Sequence, residues 1–455
     1  MCLVKVIQLC YTIVKTNFTC FVFAKNIKEN MIIINKIAPI TERLEYLMYG
    51  NVMVGQSGGP TAAINASLCG VVQTALSLGC KTIYGMLYGI QGLLNGKYVN
   101  LSERLSDSLN RELLKQTPSS YLGSCRKKLP DAAQDETVYQ KIFQQLDVLN
   151  IEFFFYIGGN DSMDTILKLS DYGKQIGSPI RFMGVPKTID NDLMCTDHTP
   201  GYGSAAKYIA ASVKELICDG LVYDMESVTI TEIMGRNAGW LTAAASLAED
   251  SDCCGPDMIF LPETPFDINR FIEQTAQRLK EKKSLVIAVS EGIKSADGIY
   301  ICEQSDNLTF TDSFGHKILA GAARVLTHKL TAALGCKTRA VELNTLQRCA
   351  SHFASYTDIT EATAVGGFAV KAALQGNSGC MSHFERVSSE PYQCICGISD
   401  IHNIANAEKT VPVEWIDTEK NAIKNEFITY ARPLIQGEIS PIVANGLPRH
   451  LPPLR

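Results

Sequence analysis

The sequence lacks the features of a membrane protein and of a general nucleic-acid binder. Its apolar N-terminal stretch, residues 1–30, is interrupted by Lys5 and Lys15, so it falls short of the roughly 20 apolar residues of a membrane helix. A formal net charge of −5 leaves no positive excess for binding phosphate backbones. We therefore expect no membrane partner and no nucleic-acid partner, although local basic residues can still bind a small anion.

A disulfide framework is also missing. The 16 cysteines are scattered, and a chain of 455 residues can bury a core without covalent cross-links. The spacings Cys195-x-x-His198 and Cys394-x-Cys396 each match half of a zinc site, but neither has a matching second pair. We expect buried thiols in a reducing compartment, and hence a cytoplasmic protein.

The composition that remains is typical of a globular enzyme, with 46% hydrophobic and 20% charged residues. From Met48 onward, apolar strands, glycine turns and helices alternate, which predicts an α/β fold with doubly wound parallel sheets. Ligands in such sheets bind at the carboxyl ends of the strands. The predicted strands are 50–55, 151–157, 181–185, 227–233, 258–261, 284–290 and 338–343, and the predicted helices include 204–218 and 317–334.

Glycines follow the first two of these strands. Gly58 and Gly59 in SGGPTAAIN precede a helix, where a backbone without side chains can approach a phosphate, although a tight turn has the same pattern. In GGNDS, Asn160 and Asp161 follow the glycines. A carboxylate facing a polyanion is unfavourable unless a cation lies between them, so this motif predicts Mg²⁺ with Asn160 and Asp161 as candidate ligands.

The third strand leads into PKTIDND, residues 186–192. Asp190 and Asp192 alternate along an extended segment and so share a face. One of them could take a proton from a hydroxyl while the other holds Mg²⁺ or positions the first. Lys187 could neutralise charge on a transferring phosphoryl group. A solvated polar loop is the alternative, but three such motifs on successive strand ends favour a site.

Later strands end in residues that suit a sugar phosphate. Arg236 lies in MGRNAGW and Glu291 in SEG, while Arg339 and Arg348 flank the last strand. Guanidinium groups bind phosphate and a carboxylate binds sugar hydroxyls. Taken singly, each of these residues is more typical of a surface ion pair than of a binding site.

Together the motifs resemble those of the phosphofructokinase family, in the family's order over roughly residues 50–350. They are SGGPTAAIN, YLGSCR, GGNDS, PKTIDND, TPGYGSA, IMGRNAGW, SEG and TRAVELNTLQR. The resemblance implies an α/β fold of two similar lobes with the active site in the cleft between them. It also implies phosphoryl transfer to the 1-hydroxyl of fructose 6-phosphate, a requirement for Mg²⁺, and a homo-oligomer.

The resemblance assigns a segment of the chain to each role. Residues 48–203 with part of 345–455 would form the donor-binding lobe, and residues 204–344 the sugar-phosphate-binding lobe. Residues 376–455, which are rich in proline, would form a C-terminal segment with an irregular tail. Residues 1–47 would be an N-terminal extension outside the fold.

Individual roles follow from the same resemblance. Asp190 would take the proton from the sugar hydroxyl, with Lys187 and Arg126 as further catalytic residues. Gly58 and Gly59 would approach the donor phosphates. Arg339 would reach the sugar phosphate of a neighbouring subunit. The implied substrate-binding residues are Thr188, Ile189, Asp190, Asp192, Met234, Gly235, Arg236, Glu291, Arg339 and Arg348.

Two positions point to the phosphoryl donor. Members of the family that use ATP typically carry GGDGS and PGTIDND, whereas those that use pyrophosphate have an aspartate and a lysine at two of these glycines. This chain has Asp161 and Lys187 there. A carboxylate where the third phosphate would lie repels ATP by charge and bulk. We predict pyrophosphate as donor; the alternatives are an ATP-dependent enzyme and a non-catalytic regulatory subunit with the same fold.

Overall fold

The computed structural model describes residues 49–304 and 321–454, so the predicted extension 1–47 and the start of the helix predicted at 317–334 lie outside the described residues. Within the described residues, eleven strands form two large sheets. They are β1 Asn51–Gln56, β2 Ile83–Met86, β3 Tyr98–Asn100, β4 Ile151–Gly158, β5 Arg181–Pro186, β6 Ser227–Ile233, β7 Met258–Phe260, β8 Ser284–Ser290, β9 Lys337–Glu342, β10 Cys380–Ser389 and β11 Tyr392–Asp400.

The remaining elements are helices and two short ribbons. The α-helices are α1 Ile64–Ser77, α2 Gly89–Leu94, α3 Leu101–Arg104, α4 Ser108–Gln116, α5 Glu136–Val148, α6 Asn160–Gln175, α7 Tyr202–Gly220, α8 Trp240–Ala243, α9 Ile268–Leu279, α10 Ala322–Leu334, α11 Leu346–Cys349, α12 Tyr356–Leu374 and α13 Asn425–Ala431. The ribbons pair β12 Ile416–Asp417 with β13 Ala422–Ile423, and β14 Val443–Ala444 with β15 Leu447–Pro448.

The first sheet has the strand order β11-β10-β5-β4-β1-β2-β3. Its central strands are parallel, and only β3 and β11 run antiparallel to their neighbours. Successive residues of β4 enter two different core clusters: Phe153 and Phe155 enter one, while Phe154 and Tyr156 enter the other. Since neighbouring side chains of a strand point to opposite faces, the sheet is covered by helices on both sides.

The second sheet, ordered β7-β8-β6-β9, is parallel throughout. It too is buried on both faces, since Val286 and Ala288 of β8 enter one cluster and Ile287 and Val289 another. The two sheets confirm the predicted doubly wound α/β fold, although the second is the smaller. The division into a donor-binding and a sugar-phosphate-binding lobe stays a prediction.

The C-terminal segment contains structure that the sequence analysis did not predict. Strands β10 and β11 form an antiparallel hairpin, and Cys380 and Met381 of β10 pair in parallel with β5. This hairpin extends the first sheet at the edge next to the PKTIDND loop. Beyond residue 400 the described residues form only short elements.

None of the described helices is both long enough and apolar enough to cross a membrane.

His198 belongs to the half-site spacing Cys195-x-x-His198. It is buried between two carboxylates, Asp197 and Glu361, each 2.8 Å from one ring nitrogen. Among the described residues no group of three or more histidines, cysteines and acids could hold a metal ion.

Candidate active site

The carboxyl ends of strands from both sheets border one cavity of about 930 Å³. The loops after β1, β4 and β5 reach it from the first sheet, and the loops after β6, β8 and β9 from the second. It therefore contains residues from most of the predicted motifs. The predicted site residues that line it are Gly58, Gly59, Arg126, Asn160, Asp161, Lys187, Thr188, Ile189, Asp190, Asp192, Met234, Arg236, Glu291 and Arg348.

The glycine loop after β1 presents bare backbone to the cavity at Gly58 and Gly59. Gly58 has φ +75°, a conformation that favours glycine, and a Cβ there would lie 3.4 Å from Nζ of Lys187. Thr61 Oγ1 accepts a hydrogen bond of 2.9 Å from the backbone N–H of Ile64, so helix α1 begins directly after the loop. The loop thus places bare backbone and a helix start beside the cavity, an arrangement that suits a phosphate.

Lys187 contacts this loop directly. Its Nζ donates a hydrogen bond of 2.6 Å to the carbonyl oxygen of Gly59, and the residue is 2% exposed. Burial lowers the pKa of Lys187 to about 8, and the negative charge of Asp190 opposes that shift. The side chain is thus fixed between the glycine loop and the acids.

Asp190 lies at the base of the cavity. Its backbone N–H donates to Thr188 Oγ1 at 3.1 Å, and that hydroxyl lies 3.4 Å from Asp190 Oδ2. Burial raises the pKa of Asp190 above its usual range, while Lys187 and Arg236 act in the opposite direction. A carboxylate whose pKa is raised is a stronger base, which suits a group that takes a proton from a hydroxyl.

The amide of Asn160 lies next to the second aspartate. Its Nδ2 donates to Asp192 Oδ2 at 3.3 Å, whereas its Oδ1 is buried with no hydrogen-bond partner. Burial, with Asp190 nearby, raises the pKa of Asp192 to about 7. An amide oxygen without a donor, beside carboxylates that line the same cavity, is a suitable setting for a hard cation.

Asp161, the next residue, lies in the first turn of α6. Its carboxylate pairs with Lys128 at 3.0 Å, and both side chains are partly exposed to the cavity. Asp161 therefore lines the cavity as one partner of an ion pair.

The turn after β6 is shaped by Gly235, which has φ +142°. A Cβ at this position would lie 2.6 Å from the carbonyl oxygen of Ala238. No residue other than glycine therefore fits here without a distortion of the turn. The backbone N–H of Gly235 donates to Glu291 Oε1 at 3.3 Å. Burial raises the pKa of Glu291 to about 7.

Three arginines line the same cavity. Nε of Arg236 is buried without a hydrogen-bond partner, so the guanidinium keeps a donor for a ligand. Burial, together with the like charge of Arg126, lowers the pKa of Arg348. Arginines held so close to one another are typical of a site for a polyanion.

Arg339 is not brought to the cavity. It lies on the edge strand β9, and its Nη1 is 3.2 Å from Asp219 Oδ2 in a pair that is about half exposed. Within this chain Arg339 therefore takes no part in the site, and its predicted role across a subunit boundary stays a prediction.

The sequence analysis missed several residues that line the cavity. Glu408 accepts hydrogen bonds from Asn237 Nδ2 at 3.1 and 3.3 Å, and Asn406 and Tyr300 also line the site. Asn237 lies within the MGRNAGW motif and could have been found there. Glu408 and Asn406 lie in the C-terminal segment, where no strand-end pattern marks them.

Comparison with known proteins agrees with this arrangement. Residues 51–373 match the family model described as phosphofructokinase. The pyrophosphate–fructose 6-phosphate 1-phosphotransferase of Methylococcus capsulatus is 38% identical over 405 residues, which are 88% of this chain and 95% of that protein. The enzyme of the same name from Xanthomonas campestris pv. campestris is 39% identical, over 88% of this chain and 96% of that protein.

A solved structure is also similar. The crystal structure of the pyrophosphate-dependent phosphofructokinase from Marinobacter aquaeolei has a TM-score of 0.79 and 36% sequence identity. The match covers 89% of this chain and 96% of that one. The family model, which matches residues 51–373, covers strands β1 to β9 of the two sheets.

Proposed function

The chain belongs to the phosphofructokinase family, and from that premise we propose that it transfers a phosphoryl group from pyrophosphate to the 1-hydroxyl of fructose 6-phosphate. The products are fructose 1,6-bisphosphate and phosphate. The observation that carries this proposal is the position of Lys187, fixed between the glycine loop and Asp190 in one cavity. The relatives named above carry the name of this activity, which supports the same conclusion.

Asp190 is the base of this reaction. Asp190 takes the proton of the sugar hydroxyl, and the hydroxyl oxygen forms a bond with one phosphorus of pyrophosphate. The bridging P–O bond breaks, and the second phosphate leaves with the bond's electron pair. The raised pKa of Asp190 makes it a more effective acceptor at neutral pH.

The cations of the site stabilise the charge that develops on the phosphates. Lys187 lies at the glycine loop, where the leaving phosphate would bind, and Arg126 lines the cavity beside Arg348. On the sugar side, Arg236 and Glu291 would bind the phosphate and the hydroxyls of fructose 6-phosphate. Fixed charges act strongly here because Lys187 is buried and Arg236, Glu291 and Arg348 are only partly exposed.

The donor set fits Mg²⁺. Asn160 with its unpartnered Oδ1, and Asp161 on the adjacent position, would hold it together with donor phosphate oxygens. When bound, Mg²⁺ would neutralise the phosphate oxygens of the donor. An amide in place of a carboxylate ligand leaves one negative charge fewer in the cavity.

Pyrophosphate is favoured over ATP by Asp161 and Lys187. The Asp161 carboxylate occupies the first turn of α6 at the cavity, where it would oppose a third phosphate. The non-catalytic alternative has less support, because Asp190 and the groups around it are all present. We further infer a cytoplasmic homo-oligomer, in which Arg339 is available to a neighbouring subunit.

The experiment that tests the reaction is ³¹P nuclear magnetic resonance on the purified chain with Mg²⁺, fructose 6-phosphate and pyrophosphate. Pyrophosphate should disappear as phosphate and fructose 1,6-bisphosphate appear in equal amounts. Adding the two products alone should regenerate pyrophosphate. Hydrolysis of pyrophosphate without sugar phosphorylation would contradict the proposal.

A further inference from the structure

Lys409 lies in the C-terminal segment, outside every predicted motif. It contacts the loop that carries Asp190 and Asp192, residues 190–197, which we call the acid loop. Its backbone N–H donates to the carbonyl oxygen of Asp192 at 2.7 Å. Its Nζ donates to the carbonyl oxygens of Thr196 at 3.0 Å and Asp197 at 2.7 Å. Lys409 therefore binds the acid loop at two places, at Asp192 and at Thr196 with Asp197.

Lys409 also contacts Trp240, which directly follows residues 234–239, the turn after β6 that we call the sugar-binding turn. Nε1 of Trp240 donates to the carbonyl oxygen of Lys409 at 2.9 Å, and the Lys409 ammonium lies 5.3 Å from the centre of a Trp240 ring. Trp240 is the last residue of the motif MGRNAGW, which follows strand β6 of the second sheet. Lys409 thus connects the acid loop, at the end of the first sheet, with the sugar-binding turn, at the end of the second sheet.

A second contact supports the same loop. Asn191, between the two aspartates, donates from Nδ2 to the hydroxyl of Tyr430 at 2.7 Å. Tyr430 in turn donates to the carbonyl oxygen of Asp197 at 2.8 Å, the oxygen that Lys409 also reaches. The C-terminal segment therefore holds the acid loop at three of its backbone carbonyls and at one side chain.

The ammonium of Lys409 makes contacts that an apolar side chain could not make. It donates to two backbone carbonyl oxygens, and the Asp197 and Asp192 carboxylates attract it without lying within ion-pair distance. Partial burial lowers the pKa of Lys409 to about 8. An apolar side chain of similar length would fill the same space but would leave the two carbonyl oxygens without this donor.

We propose that Lys409 is a positioning residue for the phosphoryl transfer, which fixes the Asp190–Asp192 loop against the sugar-binding turn. This inference rests on the proposed function. It predicts an effect on kcat rather than on KM, because Asp190 sits on the loop that Lys409 holds. Arg126 and Arg348, which would bind the phosphates, lie on other loops.

The test is Lys409→Met, assayed with pyrophosphate and fructose 6-phosphate on protein whose folding is checked by circular dichroism. We expect kcat to fall about ten- to a hundredfold while both KM values stay within about threefold, since a small misplacement of a reacting group costs rate. Lys409→Arg keeps the charge and the donors and should recover most of the lost rate.

Lys420→Met is the matched control, because Lys420 is 78% exposed and far from the motifs in sequence. It should leave kcat and KM unchanged. If Lys409→Met does not fold, Lys409→Gln takes its place, since an amide can still donate to one carbonyl without the charge. A folded Met or Gln variant with kcat within twofold of the native chain overturns the inference.

The two proposals fail in different ways. If the native chain does not phosphorylate fructose 6-phosphate from pyrophosphate, the proposed function is wrong. If the native chain is active but its Lys409 variant keeps full kcat, or loses only substrate affinity, the inference about Lys409 alone is wrong.

Discussion

Nζ of Lys187 lies 2.6 Å from the carbonyl oxygen of Gly59. This contact ties the lysine after β5 to the glycine loop after β1, two strands that are separated in the sheet only by β4. The positive charge is therefore fixed at the place where backbone without side chains meets the cavity. A phosphate group that bound there would face this positive charge.

Lys187→Met should lower kcat with pyrophosphate about a hundred- to a thousandfold, the scale seen when one preorganised charge donor is removed from a site. The reason is the loss of the positive charge that faces the leaving phosphate. Steady-state kinetics would measure the change. Lys174→Met, at a 62% exposed lysine near the end of α6, is the control and should have native rates. A Lys187→Met variant within twofold of native kcat would disprove the role.

Asp161→Gly should allow the chain to use ATP, because it removes the carboxylate that opposes a third phosphate. Asp161→Asn separates the two causes, since it removes the charge and keeps the bulk. We expect Gly to gain more ATP-dependent activity than Asn if bulk contributes, and equal gains if charge alone decides. If neither variant binds ATP while pyrophosphate use is intact, the account of donor choice fails.

The rate should fall as the pH rises through about 8, because Lys187 has a lowered pKa of about 8 and loses its charge there. The sign follows from the protonated form being the active one, so the loss occurs on the alkaline side. A pH profile of kcat measures it. Lys187→Arg, whose guanidinium does not titrate in this range, should shift that limb to higher pH. An alkaline limb that is identical in the variant would assign it to another group.

The KM for fructose 6-phosphate should rise as the pH falls below about 7. Burial raises the pKa of Glu291 to about 7, so below that pH its carboxylate gains a proton and accepts less well from sugar hydroxyls. Glu291→Gln cannot titrate and should have a higher KM that varies less with pH. A variant with the native pH dependence of KM would exclude Glu291 as the cause.

Gly235→Ala should raise the KM for fructose 6-phosphate by about tenfold or more, because the backbone conformation there disfavours any side chain. The new Cβ would meet the Ala238 carbonyl oxygen at 2.6 Å and push the sugar turn aside. Gly298→Ala is the control, since Gly298 also has a positive φ but nothing lies within 4 Å of its Cβ position. Equal effects of the two changes would mean that strain alone, rather than the turn's contact, matters.

The strand ends can be predicted from the sequence because a buried parallel strand is a short run of apolar residues that ends in a recognisable turn. β6 and β8 have the predicted bounds, and the glycine and acid motifs follow strands whose carboxyl ends border the cavity. Runs such as FFFYIGG combine a buried strand with a turn, so a short window of sequence is sufficient to locate them. For this reason most of the predicted residues do line one cavity.

The missed features depend on contacts far apart in the chain. The hairpin of β10 and β11 alternates weakly, since polar and small residues occupy both faces, and it gains its place by pairing with β5. Glu408 and Lys409 have no regular element to mark them. Arg339 was found by its motif, but its partner Asp219 lies on α7, and only the folded structure shows that pair.

The measurement that tests the central claim most directly compares two donors. The native chain is assayed for fructose 1,6-bisphosphate with Mg²⁺ and fructose 6-phosphate, once with pyrophosphate and once with ATP. The account predicts turnover with pyrophosphate and a kcat/KM for ATP that is lower by at least about a thousandfold, since like charges placed against each other cost several kcal/mol. Comparable turnover with ATP would contradict the roles given to Asp161 and Lys187.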